Sequence, residues 1–283
     1  MKVIYYYHVP KCGGTFIYEN LRRVCEKTPN AVWCRYNRKG ILFRNQLGEE
    51  EAYTAKVAGI ENRKNQASHD WPSVIKDISN LNYEYVYIYH HHSRHGLKDI
   101  ILELKEAKKQ VKDNGGEFYL FTCLRETIAF VNSHVNYIKH DWPSHSPESR
   151  SFRDKWNFDT AINDSWFNNY QSKYILHNHE FNWREDIPIN KEKVMEMLSV
   201  IDKIYTTENI TKIKTDLREL VPNVDSEWND EKINVSSKLL TMSEEQKNEL
   251  IHKNQLDIWL HKWSQLSDLN RGPTVYKTVA LPN

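Results

Sequence analysis

Residues 2–26 of the chain read KVIYYYHVPKCGGTFIYENLRRVCE and contain three successive signals of local structure. The run from 2 to 8 is short, apolar and rich in tyrosine, which predicts a buried β-strand. A turn with Gly13 and Gly14 follows, and apolar residues then recur at helical spacing to about Glu26. A strand, a glycine turn and a helix in this order open the α/β folds that bind nucleotides.

The rest of the chain continues this alternation of strands and helices. Residues 118–124 form an almost wholly apolar run, as expected for a strand in a parallel sheet that is covered on both faces. Further strands are predicted at 83–91 and 203–206, and helices at 98–112, from 128 onward, and near 164–177, 191–201, 208–220 and 243–262. Residues 28–80, apart from strand pieces near 31–36, and residues 140–160 are predicted to be irregular. We therefore predict a P-loop-like three-layer α/β fold with a central, mainly parallel sheet flanked by helices.

The length of 283 residues suits one enzyme domain, which we place at 1–270, followed by a loose tail at 271–283 with two prolines. The net charge of +1 creates no global field toward nucleic acid or an anionic membrane. No run approaches the roughly 20 apolar residues of a membrane span, and the short, aromatic run of the first residues does not have the pattern expected of a signal peptide. We therefore expect a soluble, cytoplasmic protein without a nucleic-acid partner. The cysteines show no framework spacing and are interpreted as reduced thiols: Cys12, Cys25, Cys34 and Cys123.

The glycine turn carries groups that suit an anion. Glycine lets backbone N–H groups approach a ligand closely, and the start of a helix adds partial positive charge. Lys11 adds a full charge, and the Thr15 hydroxyl adds a donor. In a Walker A loop the lysine follows the glycines and precedes a magnesium-binding Ser or Thr, whereas Lys11 precedes them. The strand ending at Leu124 leads into Arg125 rather than an acidic metal ligand, so we predict an anion site without a metal.

The stretch HVPKCGGT, residues 8–15, resembles the 5′-phosphosulfate loop of carbohydrate sulfotransferases, including the heparan sulfate 2-O-type enzymes and their bacterial relatives. These enzymes use 3′-phosphoadenosine 5′-phosphosulfate (PAPS) as sulfonate donor. The family usually has Thr or Ser in the place of Cys12 and often Ser in the place of Phe16, so a hydroxyl donor is lost here. The resemblance implies that the donor is bound by Lys11, Cys12, Gly13, Gly14 and Thr15.

A second anion site is indicated by Arg125 and by Ser133, which stands eight residues, about two helical turns, later. An arginine offers a bidentate clamp and a serine a hydroxyl donor. The segment resembles the family's 3′-phosphate motif, with Thr127 in the place of its usual proline and Phe130 in the place of a frequent second arginine. Three later segments also resemble the family: the helix at 169–176, the nucleotide-covering loop at 234–238 and the terminal helix at 254–260. The loop implies that Ser236, Ser237 and Lys238 contribute to donor binding.

A run of histidines at 90–92 contains the candidates for a catalytic base. In the family a histidine lies four residues before a glycine here, which counts back from Gly96 to His92, and strand alternation would put His91 on the opposite face from His90 and His92. We rank His92 first and His91 second. A related branch uses a glutamate five residues after the threonine. Asn20 holds that position here, and Glu19, one residue earlier and turned by about 100°, ranks third.

Two plainer interpretations of these histidines stay open: solvated side chains at a strand end, and a metal site. Consecutive strand histidines point apart and no further ligand stands at a recognisable spacing, so the metal site is disfavoured. If the chain is an enzyme of this kind, the residue that works with the base is Lys11, which would stabilise charge on the departing phosphate.

The resemblance implies an enzyme that moves the sulfonate of PAPS to a hydroxyl or amine of a carbohydrate or other small polar acceptor by direct in-line transfer, releasing 3′,5′-ADP. The alternatives are a nucleotide-dependent phosphotransferase and a non-catalytic nucleotide-binding or scaffold protein of the same fold. The acceptor and the oligomeric state are not indicated. Two sets of residues from the unmatched segments are candidates for acceptor binding or for structural roles: Trp33, Trp71, Trp142 and Trp156, and the basic Arg150, Arg153 and Lys155.

Overall fold

The structure is a computed structural model that describes residues 1–37, 40–44, 50–52, 82–93, 95–141, 147–178, 189–231 and 240–266. In this part of the chain a seven-stranded sheet has the order β4-β3-β2-β5-β1-β6-β7. Five strands are parallel, and β3 and β4 extend the sheet in antiparallel fashion beside β2. The strands are β1 Lys2–Tyr7, β2 Ala31–Asn37, β3 Gly40–Arg44, β4 Glu50–Ala52, β5 Tyr85–His90, β6 Glu117–Leu124 and β7 Lys203–Thr206.

Helices cover both faces of this sheet. The α-helices are α1 Gly14–Lys27, α2 Leu97–Asp113, α3 Thr127–Asn136, α4 Pro147–Lys155, α5 Phe158–Asn163, α6 Tyr170–His177, α7 Lys191–Leu198, α8 Lys212–Arg218, α9 Val224–Glu227, α10 Glu244–Lys253 and α11 Gln255–Leu266. A π-helical turn, Tyr137–Asp141, follows α3, and a 3-10 turn, Ser165–Phe167, precedes α6. None of the helices in the described residues combines the length and apolar character needed to cross a membrane.

Alternation along β1 divides the core in two. Val3, Tyr5 and Tyr7 pack with α2, α3, α6, α7 and α11 on one face, and Ile4 and Tyr6 pack with α1, α8 and α9 on the other. Strand side chains alternate between faces, so one short run supplies both cores. The predicted three-layer α/β fold is confirmed.

Tyr5 and Tyr7, two of the core tyrosines of β1, have hydrogen-bond partners for their hydroxyl groups. The Tyr7 hydroxyl donates to the carbonyl of Tyr174 at 2.9 Å, and the Tyr5 hydroxyl lies 2.7 Å from Nδ1 of His90. A buried hydroxyl without a partner is costly, whereas a bonded one brings the packing of a large ring with it. The buried tyrosines therefore pack beside the valine, isoleucine and leucine side chains that make up much of the core.

Several predicted boundaries were wrong. The segment 140–160, expected to be a loop, carries α4 and the beginning of α5, which is capped by the side chain of Asn157. The helix expected at 243–262 is interrupted at Asn254, whose side-chain oxygen accepts the backbone N–H of Asn169 at 2.7 Å. The described part of residues 28–80, a segment expected to be mostly irregular, contains β2, β3 and β4, of which only β2 was indicated. The proposed tail at 271–283 lies outside the described residues.

Candidate active site

The loop between β1 and α1 has an unusual backbone. Lys11 has φ 62° and Gly13 has φ 77°, so both lie in the left-handed region. Glycine adopts this conformation freely, but a lysine there costs energy and is kept only where its surroundings hold it. The carbonyl of Gly13 accepts the N–H of Ile17 at 3.1 Å, which begins α1 directly after the turn. The loop thus presents a strained lysine at the start of a helix.

Each glycine of the loop is required for a different reason. A Cβ on Gly13 would stand 2.5 Å from Cδ1 of Ile210, which follows β7. Gly14 is not in the left-handed region, but a Cβ there would overlap the imidazole of His8. The loop is therefore enclosed between its own first residue and the β7–α8 connection.

Arg125 brings the second predicted motif to this loop. Its Nη1 donates to the carbonyl oxygen of Lys11 at 3.2 Å. The two residues follow β1 and β6, which are adjacent parallel strands, so their carboxyl ends lie side by side. Among the described residues no carboxylate pairs with the Arg125 guanidinium. The Arg125 guanidinium thus contacts the backbone of the Lys11 loop at one edge of the sheet.

The amide of Gln171, on α6, joins the same two loops. Its Oε1 accepts the backbone N–H of Arg125 at 2.9 Å, and its Nε2 donates to the Arg125 carbonyl at 2.8 Å. The thiol of Cys12 donates to the same Oε1 at 3.3 Å. Cys12 is fully buried, and burial raises the pKa of its thiol. Any contact of Cys12 with a bound anion would therefore come from its backbone.

Lys11 lies among aromatic and imidazole groups. Its Nζ is 3.8 Å from the ring centroid of Tyr137, within cation–π distance. Burial, and then the charge of Lys11, lowers the pKa of His134 to about 3. Burial, and then the neighbouring His92 and Lys11, lowers the pKa of His8 well below its ordinary value. These imidazoles are therefore neutral, and the positive charge comes from Lys11 and Arg125.

The histidine run does not follow the predicted alternation. β5 ends at His90, and His92 has φ 53°, so the backbone has left the extended conformation. The ring of His92 consequently lies beside that of His91, with centroids 3.5 Å apart, rather than on the face of His90. His91 in turn lies 3.9 Å from the ring of His8. The prediction that His90 and His92 share a face was wrong because the strand ends first.

His90 itself has a structural environment. It is fully buried, with its two ring nitrogens bonded to the hydroxyl groups of Tyr5 and Ser93. Burial lowers the pKa of His90 to about 3. His91 and His92 are only half-buried, and the backbone N–H of His92 donates to the Tyr174 hydroxyl at 3.2 Å. Both remain candidates for the base.

Glu19 lies on α1 and is engaged elsewhere. Its carboxylate pairs with Arg22 at 3.1 Å on the partly exposed face of the helix. Asn20 is the buried residue, and its side chain bonds both the N–H of Asn229, at 2.7 Å, and the Asn229 carbonyl, at 3.0 Å. Asn20 thus holds a distant loop against α1 by structural hydrogen bonds.

The remaining predicted donor residues lie on helices or outside the described residues. Thr15 is exposed in the first turn of α1, and Ser133 is half-buried on α3. The carboxylate of Glu126 caps α3 by accepting the N–H groups of Ile128 and Ala129. The loop residues Ser236, Ser237 and Lys238 lie outside the described residues.

Some of the candidates for acceptor binding are described by the structure and others lie outside the described residues. Trp33 and Trp156 are buried and belong to the core, whereas Trp71 and Trp142 lie outside the described residues. On α4, Arg150 and Lys155 are exposed and Arg153 pairs with Asp154. No three His, Cys, Asp or Glu side chains are grouped as metal ligands in the ranges that the structure describes. The cysteines Cys12, Cys25, Cys34 and Cys123 are buried free thiols.

His8 and Gln171 were not predicted as site residues. His8 stands directly after β1, and its contacts with Gly14, Tyr89 and His91 are visible only in the structure. Gln171 lies in a segment that resembles a family helix, but no local signal connects it with Arg125, 46 positions away.

No family model and no curated protein matches the chain. Among solved structures, the chain is similar to a sulfotransferase from Alicyclobacillus acidocaldarius, with 12% identity over 98% of both chains and a TM-score of 0.45.

Proposed function

We propose that this protein is a sulfotransferase that moves the sulfonate of PAPS to a hydroxyl or amine of a carbohydrate or other small polar acceptor. The observation that carries the proposal is the contact between Arg125 and Lys11 across the ends of two adjacent parallel strands. It joins two loops that resemble, in their sequence order, the 5′- and 3′-phosphate motifs of one donor. The carboxyl ends of parallel strands are the usual place for a nucleotide in such sheets.

The donor's 5′ end is assigned to the loop after β1. There the Lys11 ammonium, the backbone of Cys12, Gly13 and Gly14 and the Thr15 hydroxyl would bind the phosphosulfate. The 3′-phosphate is assigned to Arg125 and Ser133, and Ser236, Ser237 and Lys238 are proposed to cover the nucleotide. The absence of a carboxylate pair to Arg125 among the described residues supports an anionic ligand.

Sulfonate transfer requires a base for the acceptor proton and a positive charge near the departing phosphate. The acceptor oxygen or nitrogen attacks the sulfur, the bond from sulfur to the phosphate oxygen breaks, and the acceptor proton passes to the base. Lys11 stabilises the charge on the departing phosphate, and 3′,5′-ADP is released. His92 is the proposed base because its ring lies beside that of His91, which in turn lies beside His8 at the beginning of the donor loop. His91 is second, and Glu19 ranks below both because its carboxylate pairs with Arg22.

A thermal-shift comparison tests the donor assignment. We expect PAPS or 3′,5′-ADP, without magnesium, to stabilise the protein by about 2.7 kcal/mol at about 100 times its Kd. ATP should not do so, and Lys109→Ala, which changes an exposed lysine paired with Asp113, should respond like the wild type. Stabilisation by ATP and magnesium with no response to 3′,5′-ADP would favour the phosphotransferase and reject this proposal.

Activity is then measured with labelled donor against a panel of acceptors. We expect His92→Ala to lower turnover while 3′,5′-ADP affinity stays nearly unchanged, because a base acts after the donor is bound. A fully active His92→Ala enzyme would transfer the role to His91 or Glu19. If no acceptor is sulfated although the donor binds, the non-catalytic interpretation is favoured.

A further inference from the structure

We infer that Gln171 is a positioning residue that sets the spacing between the two anion-binding loops and thereby selects a nucleotide with two phosphate groups. The inference rests on the proposed function, because it uses the assignment of the two loops to the two ends of one donor. No described hydrogen bond joins Gln171 to either cationic side chain, and we infer that it acts through the Arg125 backbone and the Cys12 thiol that it holds.

The side-chain amide of Gln171 bonds the backbone of Arg125 in the way that a neighbouring strand bonds a strand residue. β6 ends at Leu124, and Arg125 is the next residue, where a free peptide unit would be able to rotate. Gln171 bonds both the N–H of Arg125, at 2.9 Å, and its carbonyl, at 2.8 Å, so the backbone at Arg125 has a defined orientation. Through the Cys12 thiol at 3.3 Å the same amide oxygen contacts the loop that follows β1.

Gln171 is itself firmly held. It is 1% exposed, and its backbone N–H donates to Oδ2 of the buried Asp257 at 2.9 Å. The other oxygen of Asp257 accepts both the N–H of Ser172, at 2.8 Å, and its hydroxyl, at 2.6 Å. The side chain of Asn169 accepts the backbone N–H groups of Leu256 and Asp257 in return. The beginnings of α6 and α11 are thus locked together.

The consequence for binding follows from preorganisation. A ligand with two phosphates on one nucleoside gains affinity from the second phosphate only when both subsites already stand at the right separation. Without the Gln171 amide, the Arg125 loop loses both of its side-chain restraints, and part of the binding free energy would be used to order it. A ligand with one phosphate is bound by one loop and should depend much less on this spacing.

The test measures the affinities of 3′,5′-ADP and 5′-AMP by calorimetry and compares their ratio between variants. We expect Gln171→Met, which keeps the side-chain length but lacks the amide, to lower the preference for 3′,5′-ADP by at least about tenfold. The affinity for 5′-AMP should change by less than about threefold. Ser172→Ala is the matched control, because Ser172 shares the Asp257 carboxylate but does not contact Arg125 in any described hydrogen bond.

The outcomes separate the possibilities. Equal losses for both nucleotides, or an unchanged ratio in Gln171→Met, would overturn the positioning role. A wild-type protein without preference for 3′,5′-ADP would overturn the proposed function first, and the inference with it. Should Gln171→Met not fold, Gln171→Asn keeps a neutral amide but shortens the side chain by one methylene, which weakens both bonds to Arg125, and an unchanged ratio there would also overturn the inference.

Discussion

Replacing Gly14 by alanine tests the packing of the anion-binding loop. Gly14 begins α1 with an ordinary helical backbone, so alanine would not be strained there. The three atoms nearest to its added Cβ all belong to the His8 imidazole, and all three would be closer to the Cβ than a van der Waals contact allows. The substitution therefore isolates the steric demand of one buried ring.

The ring of His8 has little freedom to move away. Its Nδ1 is bonded to the Tyr89 hydroxyl at 2.7 Å, and its ring centroid lies 5.5 Å from that of Tyr6, on which it stacks, and 3.9 Å from that of His91. Overpacking of this kind costs up to about 3 kcal/mol, and loss of the hydrogen bond adds about 1 kcal/mol. The better helix propensity of alanine returns about 1 kcal/mol. We therefore expect Gly14→Ala to lower the free energy of unfolding by about 3 kcal/mol.

The free energy of unfolding is measured by urea denaturation, and the variants are compared provided that their m-values agree. Gly115→Ala is the control for backbone strain, since Gly115 has φ 72° with no atom within 4 Å of an added Cβ, and it should cost about 1–2 kcal/mol. In a His8→Ala background the ring is gone, so Gly14→Ala should cost less than about 1 kcal/mol. An equal cost with and without the His8 ring would refute the reasoning.

Three further predictions concern charge. The pKa values of His90 and His134 are about 3 in the folded protein and near 6.5 when unfolded, so the unfolded chain binds more protons in this window. The free energy of unfolding should therefore fall as pH falls from 6.5, by about 1.4 kcal/mol per pH unit for each histidine. Urea titrations at several pH values measure this, and a flat profile below pH 6 would contradict it. Lys11→Ala should lower turnover of labelled PAPS by about 100-fold or more, and a change under about threefold would exclude Lys11 from the chemistry. Arg125→Ala should raise the Kd of 3′,5′-ADP by roughly 10- to 100-fold with little effect on 5′-AMP, and equal effects on both would remove it from the 3′ site.

Local sequence patterns were sufficient to predict a strand or helix where its signal lies within a few neighbouring residues. The strand, turn and helix in residues 2–26 were predicted nearly to their ends, because apolar periodicity and a glycine pair are both local features. The strand at 203–206 and the helix at 98–112, observed as Leu97–Asp113, followed for the same reason.

The failures have physical causes that are not local. α4 is short and polar, so its periodicity carries no signal, although Pro147 stands at its first position, where proline is favoured. Asn254 interrupts a long apolar pattern because it bonds to Asn169, 85 positions earlier. A pattern in one segment does not report a partner in another.

The sequence by itself determined which chemical groups stand at the ends of β1 and β6: a lysine before two glycines, and an arginine. Only the tertiary structure decided which of them meet. The pairing of β1 with β6 brings Arg125 to the Lys11 carbonyl, and α6 brings Gln171 to both loops. The end of β5 at His90 places His92 beside His91, and burial turns the Cys12 thiol inward. These contacts join residues far apart in the chain, so they depend on strand order and helix packing rather than on any local preference.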